Sequence, residues 1–406
     1  MPQTRFANFG SAVTRRALLG AAAGCLVLGL AACSGMGLPT DSLGDAPAQP
    51  NGPPQASTTI GTGHVKVGLI LPLSAAGNAG LAAQSMKNAA ELAISEFNNP
   101  DIQLLLKDDG GTTQGAQQAA QQALDEGAEI ILGPLFAHTV GTVGQIARNR
   151  GVPVVAFSTD SNVATRGVYL LSFLPESDVD RIVGYAVSQG KRSFVAMLPD
   201  SAYGTVVEAA FKQSVARRGG RIIALERYGS DPGKMQEPAK AIAEAAGRAD
   251  ALFLPDSADG IIAAVQALTA SGVNLKRLQI LGTGLWADDP RVLAEPSLQG
   301  GWYAAPDSVG FQAFAGRYRS RYGQDPVRTA TLSYDAVALV AALVKTQGGQ
   351  RFSDEVLANP SGFAGVDGVF RFRHDGTNER GLAVLKVTPS GSQVIAPAPK
   401  TFGSGT

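Results

Sequence analysis

Buried-strand segments alternate with helical segments twice along this chain, and that rhythm leaves few folds open. In Val65-Lys66-Val67-Gly68-Leu69-Ile70-Leu71 the apolar residues alternate and then run together, as in a parallel strand covered on both faces. A helix is predicted over Leu81 to Asn98, where apolar residues recur at three and four. Strands at Ile102 to Leu106, Ile130 to Leu132 and Val152 to Phe157 then alternate with helices at Gln114 to Glu126 and Val140 to Arg150. The rhythm restarts with strands at Phe194 to Leu198, Arg221 to Leu225, Ala251 to Pro255 and Gln279 to Gly282. Helices at Val206 to Arg218, Met235 to Ala246 and Gly260 to Ser271 separate them. Two such series predict two α/β lobes, each a doubly wound parallel sheet with helices on both faces. A later helix, Thr329 to Lys345, precedes an expected strand pair, Gly368 to Arg373 and Gly381 to Val387.

The N-terminus carries a different signal. Arg15 and Arg16 precede an apolar run from Ala17 to Leu30, which ends in Leu30-Ala31-Ala32-Cys33. A run this short, with small residues at its end, reads as an export leader and not as a spanning helix. Leu-Ala-Ala-Cys resembles the lipobox of bacterial lipoproteins, which implies cleavage before Cys33 and a lipid on its sulfur. Thr14 to Leu19 also resembles a twin-arginine export signal, so the general and twin-arginine routes both stay open. Cys25 falls within the leader, so the mature chain keeps Cys33 alone and forms no internal disulfide. Of the 34 basic residues three are leader arginines, so cleavage leaves 31 against 34 acidic, a net charge of −3. That balance gives no reason to expect nucleic acid or an anionic membrane face as partner. Residues 34–63 hold 11 Gly and Pro in 30 positions. They read as a disordered tether with a reach of roughly 30 Å.

Signatures of catalysis are sparse. His64, His138 and His374 have no partner at metal-ligand spacing, so neither a metal nor a cofactor is expected. Gly184 to Lys191 misses a phosphate-binding loop by one residue, and Arg192 replaces its Ser or Thr. Ser188 and Lys191 have the spacing of a serine–lysine pair, yet its companion motifs are absent and a lysine at a helix end complements the dipole. The paired acids Asp108-Asp109 and Asp288-Asp289 follow strands, where turn and capping roles are expected. The chain does not read as an enzyme.

Six signatures in order carry a family likeness. They are Asn88 to Asn98, Gly133-Pro134-Leu135, Pro199 to Gly204, Phe314-x-x-x-Tyr318-x-x-x-Tyr322-Gly323-x-x-Pro326, Ser333 to Ala336, and Phe363-x-Gly365-x-x-Gly368 followed by Phe372 and Gly376. From Val65 onward the chain resembles the type I periplasmic solute-binding superfamily, the leucine-binding-protein-like group. The resemblance implies two lobes joined by three crossings that close on a small molecule. The crossings are expected at Ser172 to Leu174, at Gly301 to Tyr303, and between Gln347 and Phe363. The expected division is a leader at 1–32, Cys33 and tether at 33–64, a first lobe at 65–173 and 303–347, and a second at 174–302 and 348–398.

In the family's amino-acid binders a serine and a threonine hold the ligand carboxylate and a second-lobe acid holds the ammonium. Thr159 matches the threonine and Tyr203 a second-lobe tyrosine, whereas Ala137 stands at the serine and Pro255 at another tyrosine. The acid's place falls on Thr283 or Gly284, with Asp256 and Asp288 near enough to substitute. Losing both charge-pairing groups disfavours a free amino acid. The expected cleft residues are Ser158, Thr159 and Tyr203, with Ser74, Phe136, Asp256, Trp286 and Asp288 at other strand ends.

Gly133-Pro134-Leu135-Phe136 is similar to the corresponding turn in a branch known as penicillin-binding protein activators, outer-membrane lipoproteins that contact a peptidoglycan synthase. Ser34 lacks the aspartate that commonly retains lipoproteins at the inner membrane. The resemblance therefore implies a lipid-anchored, periplasm-facing activator of a synthase. The other reading is a receptor that delivers an amide or amino-acid-like solute to the permease of an ABC importer.

Overall fold

The computed structural model describes residues 58–403, apart from 230 and 288. Cys33, the leader and most of the expected tether lie outside the described residues, as does Asp288. Among the described residues, no helix is long and apolar enough to cross a membrane.

The first lobe opens with β1 (Thr58–Ile60), β2 (Val65–Leu71), α1 (Asn78–Glu96) and β3 (Ile102–Asp108). It continues through α2 (Thr113–Asp125), β4 (Ile130–Leu132), α3 (Ala137–Asn149), β5 (Val154–Ala156) and β6 (Val168–Leu170). The sheet order is β1-β3-β2-β4-β5-β6. All pairings are parallel except β1 on β3. Side-chain alternation sets its two cores. Val67, Leu69 and Leu71 pack with Met86, Ala90 and Ala93 of α1, whereas Ile70 turns to the opposite face with Ala116 and Ala120 of α2. The alanine face of α2 lets that helix lie close on the sheet, and the Thr112 hydroxyl caps it by accepting from Gly115 N.

The second lobe comprises α4 (Pro175–Ser188), β7 (Ser193–Pro199), α5 (Ala202–Arg217), β8 (Arg221–Tyr228) and α6 (Gln236–Ala246). It runs on through β9 (Ala251–Phe253), α7 (Ala258–Ala270), β10 (Gln279–Gly282), α8 (Pro290–Ala294) and β11 (Trp302–Ala305). β8, β7, β9, β10 and β11 lie side by side and parallel. One face packs Phe194, Leu198 and Phe253 against Phe211 and Val215 of α5. The other packs Met197, Leu252 and Ile280 against Ile242, Ile261 and Leu268. Each fully buried aromatic or aliphatic side chain contributes about 1.5–3 kcal/mol.

The chain then returns to the first lobe. α9 (Ser308–Tyr322) sets Phe314 and Tyr318 against Ala89 and Leu92 of α1. The Tyr318 hydroxyl accepts from Asn88 Nδ2 at 3.0 Å and Ser85 Oγ at 3.2 Å. These contacts account for the spacing of four in the Phe–Tyr–Tyr signature, which is one helical stripe. α10 (Ala330–Thr346) buries Leu332, Val337 and Val340 in the same core as β2 and α1.

Four expectations are corrected. β1 gives Thr58 to Ile60 a place on the sheet edge, so the ordered part begins before His64. The segment after 347, assigned to the second lobe, first builds on the other one. α11 (Asp354–Leu357) precedes a small sheet of β12 (Phe363–Gly365), β13 (Gly368–Phe372) and β14 (Asn378–Arg380). Leu357, Phe370 and Phe372 join the first lobe's core, and Leu170 N donates to Gly376 O at 2.8 Å. The expected strand pair is therefore divided. β13 pairs with β12 and β14, whereas β15 (Ala383–Thr388) runs antiparallel to β11 in the second sheet, beside β16 (Gly391–Ala396).

The crossings move accordingly. The first passes through Leu171 to Leu174, but β11 holds Trp302 and Tyr303 inside the second sheet, so the next follows it at Pro306 and Asp307. The last follows β14, at Gly381 and Leu382.

Candidate functional site

In both sheets the strand order reverses at one place, between β2 and β4 and between β7 and β9. Such switch points open a crevice outside the carboxyl ends of the strands. Where the lobes face each other there, they enclose a cavity of about 380 Å³.

Its wall is mostly apolar. Phe173 of the first crossing, Phe311 of α9, Pro175, Leu285, Ala287 and Pro306 contribute carbon surface. Thr159, Asp178, Tyr203, Ser308 and Arg328 supply the polar groups. The Arg328 charge is already engaged. Its Nη1 donates to Asp367 Oδ2 at 2.9 Å, and Thr331 Oγ1 donates to the same oxygen at 2.7 Å. The guanidinium also lies 4.5 Å from the Phe311 ring centre and 4.9 Å from that of Phe173, within cation–π range.

Asp178 is the acid of the cavity. It sits in the first turn of α4, and its Oδ2 accepts from Gly284 N at 2.9 Å across the loop after β10. Burial pushes its carboxyl up to about 7, against the backbone donor and Arg380, which favour the charged form. The Tyr203 hydroxyl shares a 2.8 Å hydrogen bond with Thr283 Oγ1, and burial raises it too.

Thr159 and Tyr203 thus both line the cavity, from opposite lobes. Other expected residues turn elsewhere. Ser158 is buried and its Oγ accepts from Asp160 N at 3.1 Å, a local turn. Trp286 is fully buried, its indole N–H donates to Leu254 O at 3.1 Å, and its ring occupies the space a Cβ on Gly282 would need. It is a core residue and presents nothing to the cavity. Asp256 accepts from Tyr228 Oη and from Ser257 N, both at 2.7 Å, at the start of α7.

Phe136 stacks on His138 with ring centres 5.9 Å apart, outside the cavity lining. Ser74 is exposed, and its N–H donates to Asp108 Oδ1 at 3.2 Å.

Asp108 and Asp109 also brace their own turn, accepting from Gly110 N at 2.8 Å and Gly111 N at 2.9 Å. Ser188 Oγ donates to Tyr185 O at 2.7 Å at the end of α4.

Asp178 belongs to none of the six signatures. The available signal was Pro175-Glu176-Ser177-Asp178, a proline followed by acids, which marks a helix start. Phe311 and Arg328 lie far along the chain and reach the cleft only through the return of α9 and α10. Among the described residues lining it, the one arginine is partnered, so none offers a free cation to a ligand carboxylate. The cavity accommodates apolar surface and a hydrogen-bond donor or cation beside Asp178.

Comparison with known proteins agrees with this architecture. A family model described as a periplasmic binding protein matches residues 64–393. The "Penicillin-binding protein activator LpoA" of Klebsiella pneumoniae is 29% identical over 138 residues, which is 34% of this chain. Its counterpart in Escherichia coli (strain K12) is 26% identical over 133 residues, 32% of the chain. In both cases the chain spans only 19% of the relative's length. Among solved structures, an ABC transporter substrate-binding protein from Sphaerobacter thermophilus superposes with a TM-score of 0.65 at 18% identity, over 83% of this chain and 98% of that one. An ABC transporter substrate-binding protein from Desulfitobacterium hafniense, in complex with Leu, gives 0.61 at 17% identity, over 82% and 99%. At such identities these structures speak to the fold.

Proposed function

The chain belongs to the periplasmic binding protein family, and from that footing we propose that it is an exported, lipid-anchored envelope protein that activates a penicillin-binding protein. The anchor is the lipid on Cys33, and the folded part faces the periplasm, held to the outer membrane by its tether. The role is non-catalytic and is exerted by contact with a peptidoglycan synthase. The observation that carries this reading is the sequence likeness to proteins named penicillin-binding protein activators. The engagement of Arg328 by Asp367 supports it, because a cleft without a free cation is poorly suited to a carboxylate-bearing nutrient.

The test is direct capture. Immobilised mature protein is expected to retain a purified bifunctional synthase from the same cell at near-physiological salt. Absence of retention with every bifunctional synthase of that cell would overturn the proposal.

A second reading has its own observation. The enclosed cavity with Asp178 at its wall supports a receptor for an ABC importer, with a ligand that brings an amine or amide to that carboxylate. A binder near micromolar affinity at hundredfold excess stabilises by about 2.7 kcal/mol. A panel of amines, amides and amino acids that produces such a shift in the mature protein, and not in Asp178→Asn, would favour the receptor.

A further inference from the structure

A second and larger crevice, about 560 Å³, lies on the other side of the first crossing. Successive residues of that crossing divide the two spaces, Phe173 lining the cleft and Leu174 this rear crevice. One wall is α4 and α5 of the second lobe, through Glu176, Asp180, Arg181 and Arg217. The other is the β13–β14 turn and β14 itself, through Arg373, Asn378 and Arg380.

Its charges are unevenly matched. Arg217 pairs with Asp180 at 2.6 Å and Arg373 with Glu379 at 3.3 Å. Arg181 spends its donors on carbonyls, Nε to Leu382 O at 2.9 Å and Nη2 to Pro397 O at 3.3 Å. Arg380 is only 5% exposed and donates Nε to Ser172 O at 2.8 Å. Among the described residues, its Nη1 and Nη2 have no hydrogen-bond partner. Asp367, Asp335 and Asp178 act on its charge through space without bonding it.

Two acceptors in the same lining are also unmatched. Asn378 Oδ1 is one, its Nδ2 being spent on Ser172 O at 2.8 Å. Glu176 Oε2 is the other, its Oε1 accepting from Ser161 Oγ at 2.6 Å. Buried polar groups left in this condition cost stability, and a native protein normally satisfies them.

We propose that this rear crevice is a second binding site, for a small carboxylate that also carries a hydroxyl or amino donor. The paired Nη groups of Arg380 present the planar fork that a carboxylate accepts bidentately. Arg181 supplies a second positive charge from the opposite wall. The ligand's O–H or N–H answers Glu176 Oε2 and Asn378 Oδ1. The walls belong to different lobes, so a small hinge rotation that widens the crevice uncovers these atoms. Occupancy then biases the lobe angle, and anything bound in the cleft or docked on the closed lobes feels it reciprocally.

The experiment is calorimetric titration of the mature protein with malate, succinate and inorganic phosphate. Malate is expected to bind, succinate more weakly for want of the hydroxyl, and phosphate weakest of the three. Arg181→Met should weaken malate at least about tenfold, and Arg380→Met should abolish binding. If Arg380→Met does not fold, Arg181→Met decides alone. Ser74→Ala, at an exposed residue outside both spaces, should leave malate affinity unchanged. Millimolar malate without heat, phosphate binding as tightly as malate, or an effect of Ser74→Ala without one of Arg181→Met would each overturn the proposal.

Discussion

Asp335 is buried at 3% exposure, with Oδ1 accepting from Val366 N at 2.8 Å and Oδ2 unmatched. Burial pushes it up to about 7, as it does Asp178. A carboxyl raised in the folded state holds a proton that the unfolded chain has already released. Its stabilising contribution is complete below about pH 4 and is lost as pH rises through about 7. Urea unfolding of the wild type between pH 4 and 8 should therefore show a stability loss toward pH 7 that is flattened in Asp335→Asn. An equal loss in both proteins would contradict the assignment. Trp286 permits a second check. Trp286→Ala is expected to cost about 3–5 kcal/mol in the same assay. It should leave any ligand bound in the cleft unaffected, because the ring faces the core. At this scale the sequence was only partly legible. The family resemblance marked Thr159 and Tyr203, which line the cavity, but strand-end position could not say that Ser158 and Asp256 bond their own turns or that Trp286 folds inward. Those choices depend on backbone N–H groups and on a ring-sized space over Gly282.

Among the elements, the parallel strands and their helices followed from apolar periodicity, because a strand buried on both faces leaves a run that little else leaves. The small β12–β14 sheet did not. Its strands carry the same alternation whichever lobe they cover, and only the tertiary partner decides. That partner is the first sheet, and Gly376 lies close against it. It has φ +86°, and a Cβ there would lie 2.2 Å from Val168 O. Gly376→Ala should destabilise by more than about 1 kcal/mol and speed hydrogen exchange at Leu170, whose N–H donates to Gly376 O. Unchanged exchange at Leu170 would mean that the turn is not held there. Edge strand β1 was likewise hidden, since three residues beside a Gly- and Pro-rich run leave too short a pattern.

For the whole molecule, the six ordered signatures pointed to the bilobal fold, and their spacing reflects real contacts such as the stripe of α9 on α1. What they could not convey is the character of the hinge. Phe311, Arg328, Phe173, Arg380 and Phe370 alternate ring and guanidinium, with neighbouring separations of 4.5, 4.9, 4.7 and 5.6 Å. Each of these contacts is within cation–π range, and the ladder ties the first crossing, through Phe173, to the first lobe. No short sequence pattern encodes it, because its members lie on five separate segments. A cleft whose arginine is occupied suits the proposed activator role. The most direct measurement is the peptide cross-linking rate of a purified bifunctional penicillin-binding protein from the same cell, with and without the mature protein. The account predicts a saturable increase in that rate, retained in Asp178→Asn. No change at saturating concentration with any such synthase, together with tight binding of a solute in the cleft, would contradict it.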